Sequence, residues 1–155
     1  MKYQLVHSVN PQYSAIEQIL TNRGIPHENI ERYLNTTDEN INSPLAFGED
    51  NLRDAARMLI QCIGENRLAL IVVDSDCDGY TSASTLINYL HKLFPAYVEN
   101  HIFYNFHEGK AHGIDLTKLP KGRNIKLIIA PDSSSNQKEV HIECQNRGID
   151  VLVID

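Results

Sequence analysis

From residue 68 onward, short runs of apolar and largely β-branched residues recur: "LALIVV" (68 to 73), "VENHIFYN" (98 to 105), "IKLIIA" (125 to 130) and "DVLVI" (150 to 154). They are near-continuous rather than alternating, so both faces of such strands must be covered. Between them lie "YTSASTLINYLHKLF", a looser piece around "GIDLTKL", and "NQKEVHIECQNRG", two of which carry helical spacing. Strand, helix, strand in this order predicts an α/β fold: a parallel, Rossmann-like sheet of about four to five strands flanked by helices, with right-handed crossovers.

The residues before this region have another texture. In "SAIEQILTNRG" and "HENIERYLN", the apolar positions Ile16, Ile19, Leu20, Ile30, Tyr33 and Leu34 fall at helical spacing, with Gly24 and Pro26 between the two segments. "TTDENINSPLAFGED" reads as a loop, and "NLRDAARMLIQCIGEN" as a helix with Leu52, Ala55, Ala56, Leu59, Ile60 and Ile63 on one face. The division expected is a helical lead-in over 1–66, packed on an α/β domain over 67–155.

A chain of 155 residues suits a domain of ordinary size. Its net charge of -6 argues against a generic nucleic-acid coat, so a phosphate substrate needs local positive charge that a bound metal can supply. Cys62, Cys77 and Cys144 are far apart and odd in number, which fits neither a disulfide framework nor a zinc-knuckle spacing. With no signal-peptide core and no apolar run of membrane-spanning length, the expectation is a cytoplasmic protein with no membrane partner.

Three of the four runs end in aspartate. "LIVVDSDCD" delivers Asp74, Asp76 and Asp78, "LIIAPD" delivers Asp132, and "VLVID" delivers Asp155. An open parallel sheet forms its sites beyond the carboxyl ends of its strands, so neighbouring strands would bring these carboxylates together. Such a cluster repels itself unless a cation sits within it, and hard oxygen ligands select Mg²⁺ or Mn²⁺ over thiolate-seeking metals. A single aspartate after a strand is an ordinary turn or N-cap residue; capping needs one per turn, not three.

After the aspartates, Gly79 allows a ligand close to the backbone, and Thr81, Ser82 and Ser84 fall where a helix start would present N–H groups and hydroxyls to a phosphate. "FHEGKAHGIDL" places His107, Lys110, His112 and Gly113 in a polar loop. Ser133 to Ser135 lack the frame of a nucleophilic serine and read as capping residues. Cys77 reads as a small spacer, while Cys62 and Cys144 read as core. Lys118, Lys121, Arg123 and Lys126 form a basic cluster of the kind usually found in solvated loops, and no aromatic-interleaved basic stripe is visible.

At these residues the chain resembles the DHH phosphoesterases, and within them the RecJ-like single-strand-specific exonucleases. "DSDCDGYTSAS" is similar to the family's first motif, "LIIAPDSSSNQKEV" to the second, and "GIDVLVID" to the approach to the third, Asp-His-His. Upstream, "ILTNRGI", "YLN", "SPLAF" and "AARMLIQCIGENRLALIVVDSDCDG" follow the RecJ order. Val72 stands where the family often has histidine, and Ser134 where RecJ proteins usually have glycine.

The resemblance implies metal-dependent phosphodiester hydrolysis on single-stranded DNA or short oligonucleotides, in recombination and repair. Asp76, Asp78, Asp132 and Asp155 would be metal ligands, with Asp74 a ligand or a support for the loop, and all five would be catalytic. Gly79, Thr81, Ser82, Lys110, His112 and Gly113 would meet substrate, and two Mn²⁺ or Mg²⁺ ions would be held by the full-length protein, with weak metal affinity expected of this fragment alone. The chain ends before the two histidines, so the expectation is the N-terminal part of a longer enzyme, inactive or nearly so by itself. An oligonucleotide or cyclic-dinucleotide phosphodiesterase and a non-catalytic scaffold with the same fold are the alternatives, a pyrophosphatase fitting the lead-in less well.

Overall fold

The computed structural model describes residues 9–38, 43–109 and 112–155. The chain divides into two compact units, Met1–Gly48 and Glu49–Asp155. In the first, α1 (Ala15–Asn22) starts in a capping box: Ser14 Oγ accepts from the Glu17 N–H, and Glu17 Oε2 accepts from the Ser14 N–H. A short helix, α2 (Ile30–Leu34), follows, and Leu20 and Ile30 are buried. The Tyr13 and His27 rings stack at 4.5 Å, with His27 Nε2 3.2 Å from Glu17 Oε1.

The second unit opens with α3 (Glu49–Gly64) and continues through β1 (Leu68–Val73), α4 (Cys77–Leu93), α5 (Pro95–His101), β2 (Ile102–Phe106), β3 (Ile125–Pro131), α6 (Lys138–Asn146) and β4 (Asp150–Ile154). The four strands pair in parallel in the order β2-β1-β3-β4. The α/β class and four-stranded sheet predicted above are both present. β1 and β3 are central, which is why Leu70, Ile71, Val72, Ile128 and Ile129 are almost wholly buried. Burial of each such side chain contributes about 1.5–3 kcal/mol.

One face of the sheet packs Ala69, Ile71, Val73 and Ile129 against α3, α4 and α5 through Met58, Cys62, Ala83, Leu90 and Tyr97. The other packs Leu70, Val72, Ile128 and Ala130 against Cys144 of α6 and against Ile114, Leu116 and Leu119 of the β2–β3 connection. The chain therefore leaves β1 over one face and β3 over the other. The gap between the carboxyl ends of these adjacent strands is the switch point at which an open α/β sheet forms a crevice.

Two sequence expectations shift. The run at 98 to 105 is expected to be extended throughout, yet its residues 98–101 belong to α5, where Val98 is buried, and β2 begins only at Ile102. Pro95 in the first turn of α5 favours helix there, and a packed helix buries apolar residues as well as a strand does. On α3, Ile60 faces solvent; Met58, Leu59, Cys62 and Ile63 make the packing stripe instead. No described helix is long and apolar enough to cross a membrane.

Candidate metal centre

β1 ends at Val73, and the next residue, Asp74, is buried at 5% exposure. The chain turns through Ser75, and Asp76 becomes the N-cap of α4, its Oδ1 accepting the Gly79 N–H at 3.1 Å. One aspartate of the three thus does the capping. A side chain at position 79 is excluded by close approach: a Cβ there would lie 2.6 Å from Asp74 Cβ and 2.8 Å from Asp74 O. Gly79 lets the helix start seat directly on Asp74 and brings the first and second aspartates together.

From the neighbouring strand, Asp132 follows β3 with φ 65, in the left-handed region, and its N–H donates to Ile154 O at 2.8 Å. This carries the β3–β4 ladder one residue past the strand and swings the Asp132 carboxylate toward β1. Oxygens of Asp74, Asp76 and Asp132 lie within 4.8 Å of one another, a spacing that one metal ion can bridge. Asp132 has its carboxyl pushed above the usual range, first by burial and then by the charges of Asp78, Asp76, Asp155 and Asp74. Among the described residues no lysine or arginine pairs with Asp76, Asp78, Asp132 or Asp155. An all-oxygen donor set with uncompensated negative charge fits a hard divalent cation.

Asp74 has further partners that the sequence reading did not assign. His107 Nδ1 lies 3.0 Å from Asp74 Oδ1, and His112 Nδ1 lies 2.9 Å from Oδ2. The Ser75 N–H also donates to Oδ1 at 2.7 Å. Burial acts to raise the Asp74 pKa, but the contacts with His107, His112 and Ser75 outweigh it and hold the carboxyl below its ordinary value. His107 is itself buried, and its Nε2 donates to Gly113 O at 2.7 Å. Asp74, His107 and His112 form a second group with metal-binding spacing that shares Asp74 with the first.

The remaining predicted residues are placed as follows. Asp78 is exposed in the first turn of α4, and Asp155 accepts from Ser135 Oγ and, at 3.4 Å, from the Ser135 N–H. Both carboxylates are near enough to Asp132 to raise its pKa, but neither belongs to the bridging trio. α4 begins at Cys77, so Thr81 and Ser82 sit one turn inside it: Thr81 Oγ1 donates to Cys77 O at 2.9 Å and Ser82 Oγ to Gly79 O at 3.1 Å. Gly113 has φ 86 and packs on Gln137, whose Oε1 accepts the Ile114 N–H at 2.6 Å. Lys110 lies outside the described residues.

A cleft of about 270 Å³ is lined by Asp74, His112, Gly113, Asp132, Ser134 and Asp155. Two larger depressions of the same unit, about 610 and 590 Å³, lie beside α6 and β4 and around Arg67, Lys126 and Gly148. Of carboxylates, the first carries Asp150 alone, and in the second Glu65 and Asp150 stand beside Arg67 and Lys126. Ser134 has φ 84 and a buried hydroxyl without a partner. The position asks for the left-handed backbone that glycine adopts without strain.

Fold and site together define a class: a doubly wound α/β protein whose carboxylates converge at the switch point in a donor set able to hold a metal ion. The chain belongs to the DHH family, whose N-terminal domain matches residues 69–155. Among known proteins it is similar to YorK, named as an SPbeta prophage-derived single-strand DNA-specific exonuclease of Bacillus subtilis (strain 168), with 33% identity over 156 residues. It has the same identity to the corresponding single-strand DNA-specific exonuclease of Bacillus phage SPbeta. The single-stranded-DNA-specific exonuclease RecJ of Bacillus subtilis (strain 168) is 28% identical over 141 residues. These alignments take in 100%, 100% and 90% of this chain, but 25%, 25% and 18% of the relatives. No solved structure matches.

Proposed function

We propose that this chain carries part of the active site of a metal-dependent phosphodiesterase acting on single-stranded DNA, with Mn²⁺ or Mg²⁺ as the cofactor. The observation that supports it best is the convergence of Asp74, Asp76 and Asp132 at the switch point. A divalent cation bound there supplies a water of lowered pKa and charge stabilisation for the oxygens of an in-line displacement. Asp76 and Asp132 are the ligands offered from two strands, with Asp78 and Asp155 at the rim completing the set. Asp74 orients the loop and is itself oriented by His107 and His112. His112 and Gly113 line the cleft in which a phosphate lies, with Gly79 at the helix start beside Asp74; Thr81 and Ser82, whose hydroxyls donate to their own helix, are left out of that wall.

The chain spans about a quarter of YorK, so the activity belongs to a protein of that length, and the 155 residues alone are expected to turn over slowly. The choice of single-stranded DNA over short oligonucleotides or cyclic dinucleotides rests on the names of the relatives. The test is release of mononucleotides from an end-labelled single strand, with Mn²⁺, by a protein of the relatives' length that carries this segment. Asp78→Ala should abolish release while leaving the melting temperature nearly unchanged, because its side chain is exposed. Full activity in that variant, or faster cleavage of a cyclic dinucleotide than of the single strand, overturns the reading.

A further inference from the structure

Two aromatic rings stand at the border of the carboxylate cluster and take no part in the core. Tyr80 follows Asp78 and Gly79 in the first turn of α4; Phe106 closes β2, immediately before His107. Their centroids are 6.0 Å apart with planes 29° from parallel. Tyr80 is 47% exposed and Phe106 51%. Phe106 is level with Val73 in the β1–β2 register, one residue short of Asp74. Tyr104, two residues back on the same face of β2, is also exposed.

Two other rings of this region are accounted for within the fold. Tyr97 is buried, its hydroxyl donating to Arg67 O at 2.8 Å. Phe103, on the opposite face of β2, lies under the Arg123 guanidinium at 5.5 Å. Ile102 completes the α4-side core, leaving Tyr104 and Phe106 beyond its edge. Exposed rings that stack near-parallel on each other still leave an outer π face open to a flat ligand. Each of them is joined through one or two residues to a group of the carboxylate cluster.

We infer that Tyr80 and Phe106 form a stacking platform for a nucleobase of the single strand whose phosphate lies at the carboxylate cluster. The inference rests on the proposed action on single-stranded DNA and adds to it how the strand is held. A surface this acidic gains little from phosphate contacts beyond the cation, so base stacking is the attraction left to it, and stacking accepts any base. An apolar protein segment is the competing occupant of the same rings.

The test uses short single strands carrying 2-aminopurine at one position at a time, with Ca²⁺ present, the chain itself containing no tryptophan to interfere. One position near the strand end should be quenched on binding. Tyr80→Ala and Phe106→Ala should each remove the quenching and weaken binding about 10-fold; Tyr80→Phe and Phe106→Tyr should keep both. An abasic site at the quenched position should weaken wild-type binding by a similar factor and leave the double alanine variant unaffected. Unchanged affinity and quenching in the alanine variants overturn the platform, as does indifference of the wild type to the abasic site, which assigns the rings to a protein segment instead. The two readings fail separately: in a protein of the relatives' length that carries this segment, quenching without nucleotide release in Mn²⁺ contradicts the hydrolytic reading alone, and release with full binding by the alanine variants contradicts the platform alone.

Discussion

His107, just past the end of β2, places its Nδ1 3.0 Å from Asp74 Oδ1, just past the end of β1, while its Nε2 donates to Gly113 O at 2.7 Å. One buried ring therefore ties the first aspartate to the loop that walls the cleft. His107→Leu leaves the Gly113 carbonyl without its donor and takes one partner from a buried carboxylate. Loss of stability by about 1–3 kcal/mol is expected, read as a lowered urea midpoint at unchanged m-value, with His107→Gln recovering part of it. A neutral His107→Leu would show that the ring is a passive filler.

The contact of Gly79 with Asp74 is a steric demand. Gly79→Ala should cost about 1–3 kcal/mol, since the new methyl meets backbone atoms of Asp74 and not the movable end of a side chain. The same variant should weaken divalent-cation binding, because relief of the clash moves Asp74 away from Asp76. A Gly79→Ala protein with wild-type melting temperature contradicts the packing described.

At Ser134 the expected change is a gain. Its φ of 84 and its buried, unpartnered hydroxyl both cost stability, so Ser134→Gly should raise unfolding free energy by about 1 kcal/mol. Chemical denaturation measures it. A loss in its place would mean that the hydroxyl has a partner worth more than the backbone strain.

Alkaline stability depends on a pair far from the cleft. Burial pushes the Tyr97 hydroxyl well above its ordinary value, helped by its contact with Cys62, and burial likewise raises the Cys62 thiol. Both groups keep their protons in the folded state at pH values where the unfolded chain has lost them. Their contribution is complete below the unfolded values, about 8.5 for cysteine and about 10 for tyrosine, and is lost as pH rises toward the folded ones. The melting temperature should fall steeply above about pH 10, and less steeply in Tyr97→Phe even if that variant starts lower. Equal slopes would remove Tyr97 from the account.

The central strands were legible because β1 and β3 are buried on both faces, and such strands write themselves as unbroken apolar runs. β4, an edge strand only half-buried, was legible because its apolar run is also unbroken and a glycine precedes it. β2 was half misread because Val98 is buried as part of a helix, and burial alone does not distinguish helix from strand. Asp74 and Asp132 could be singled out because they follow strands directly, and Asp76 because it comes two residues after Asp74. That they bridge depends on β1 and β3 being neighbours, which "LIVVD" and "LIIAPD" do not say by themselves. His107 was noted in its loop but given no role, since its contact with Asp74 requires β2 to lie beside β1. The inward start of α4 at Cys77 likewise escaped, and with it the fact that Thr81 and Ser82 donate to their own helix.

Manganese binding tests the centre itself most directly. Titration of the chain with Mn²⁺, followed by loss of the free-ion electron paramagnetic resonance signal, should show binding to the wild type that is weakened at least about 10-fold in Asp76→Asn and in Asp132→Asn, the carboxylates supplying the binding energy. Lys126→Gln, remote from the cluster, should bind as the wild type does. Undiminished binding in both aspartate variants, or no binding by the wild type, would contradict the assignment of a divalent cation to the crevice between β1 and β3.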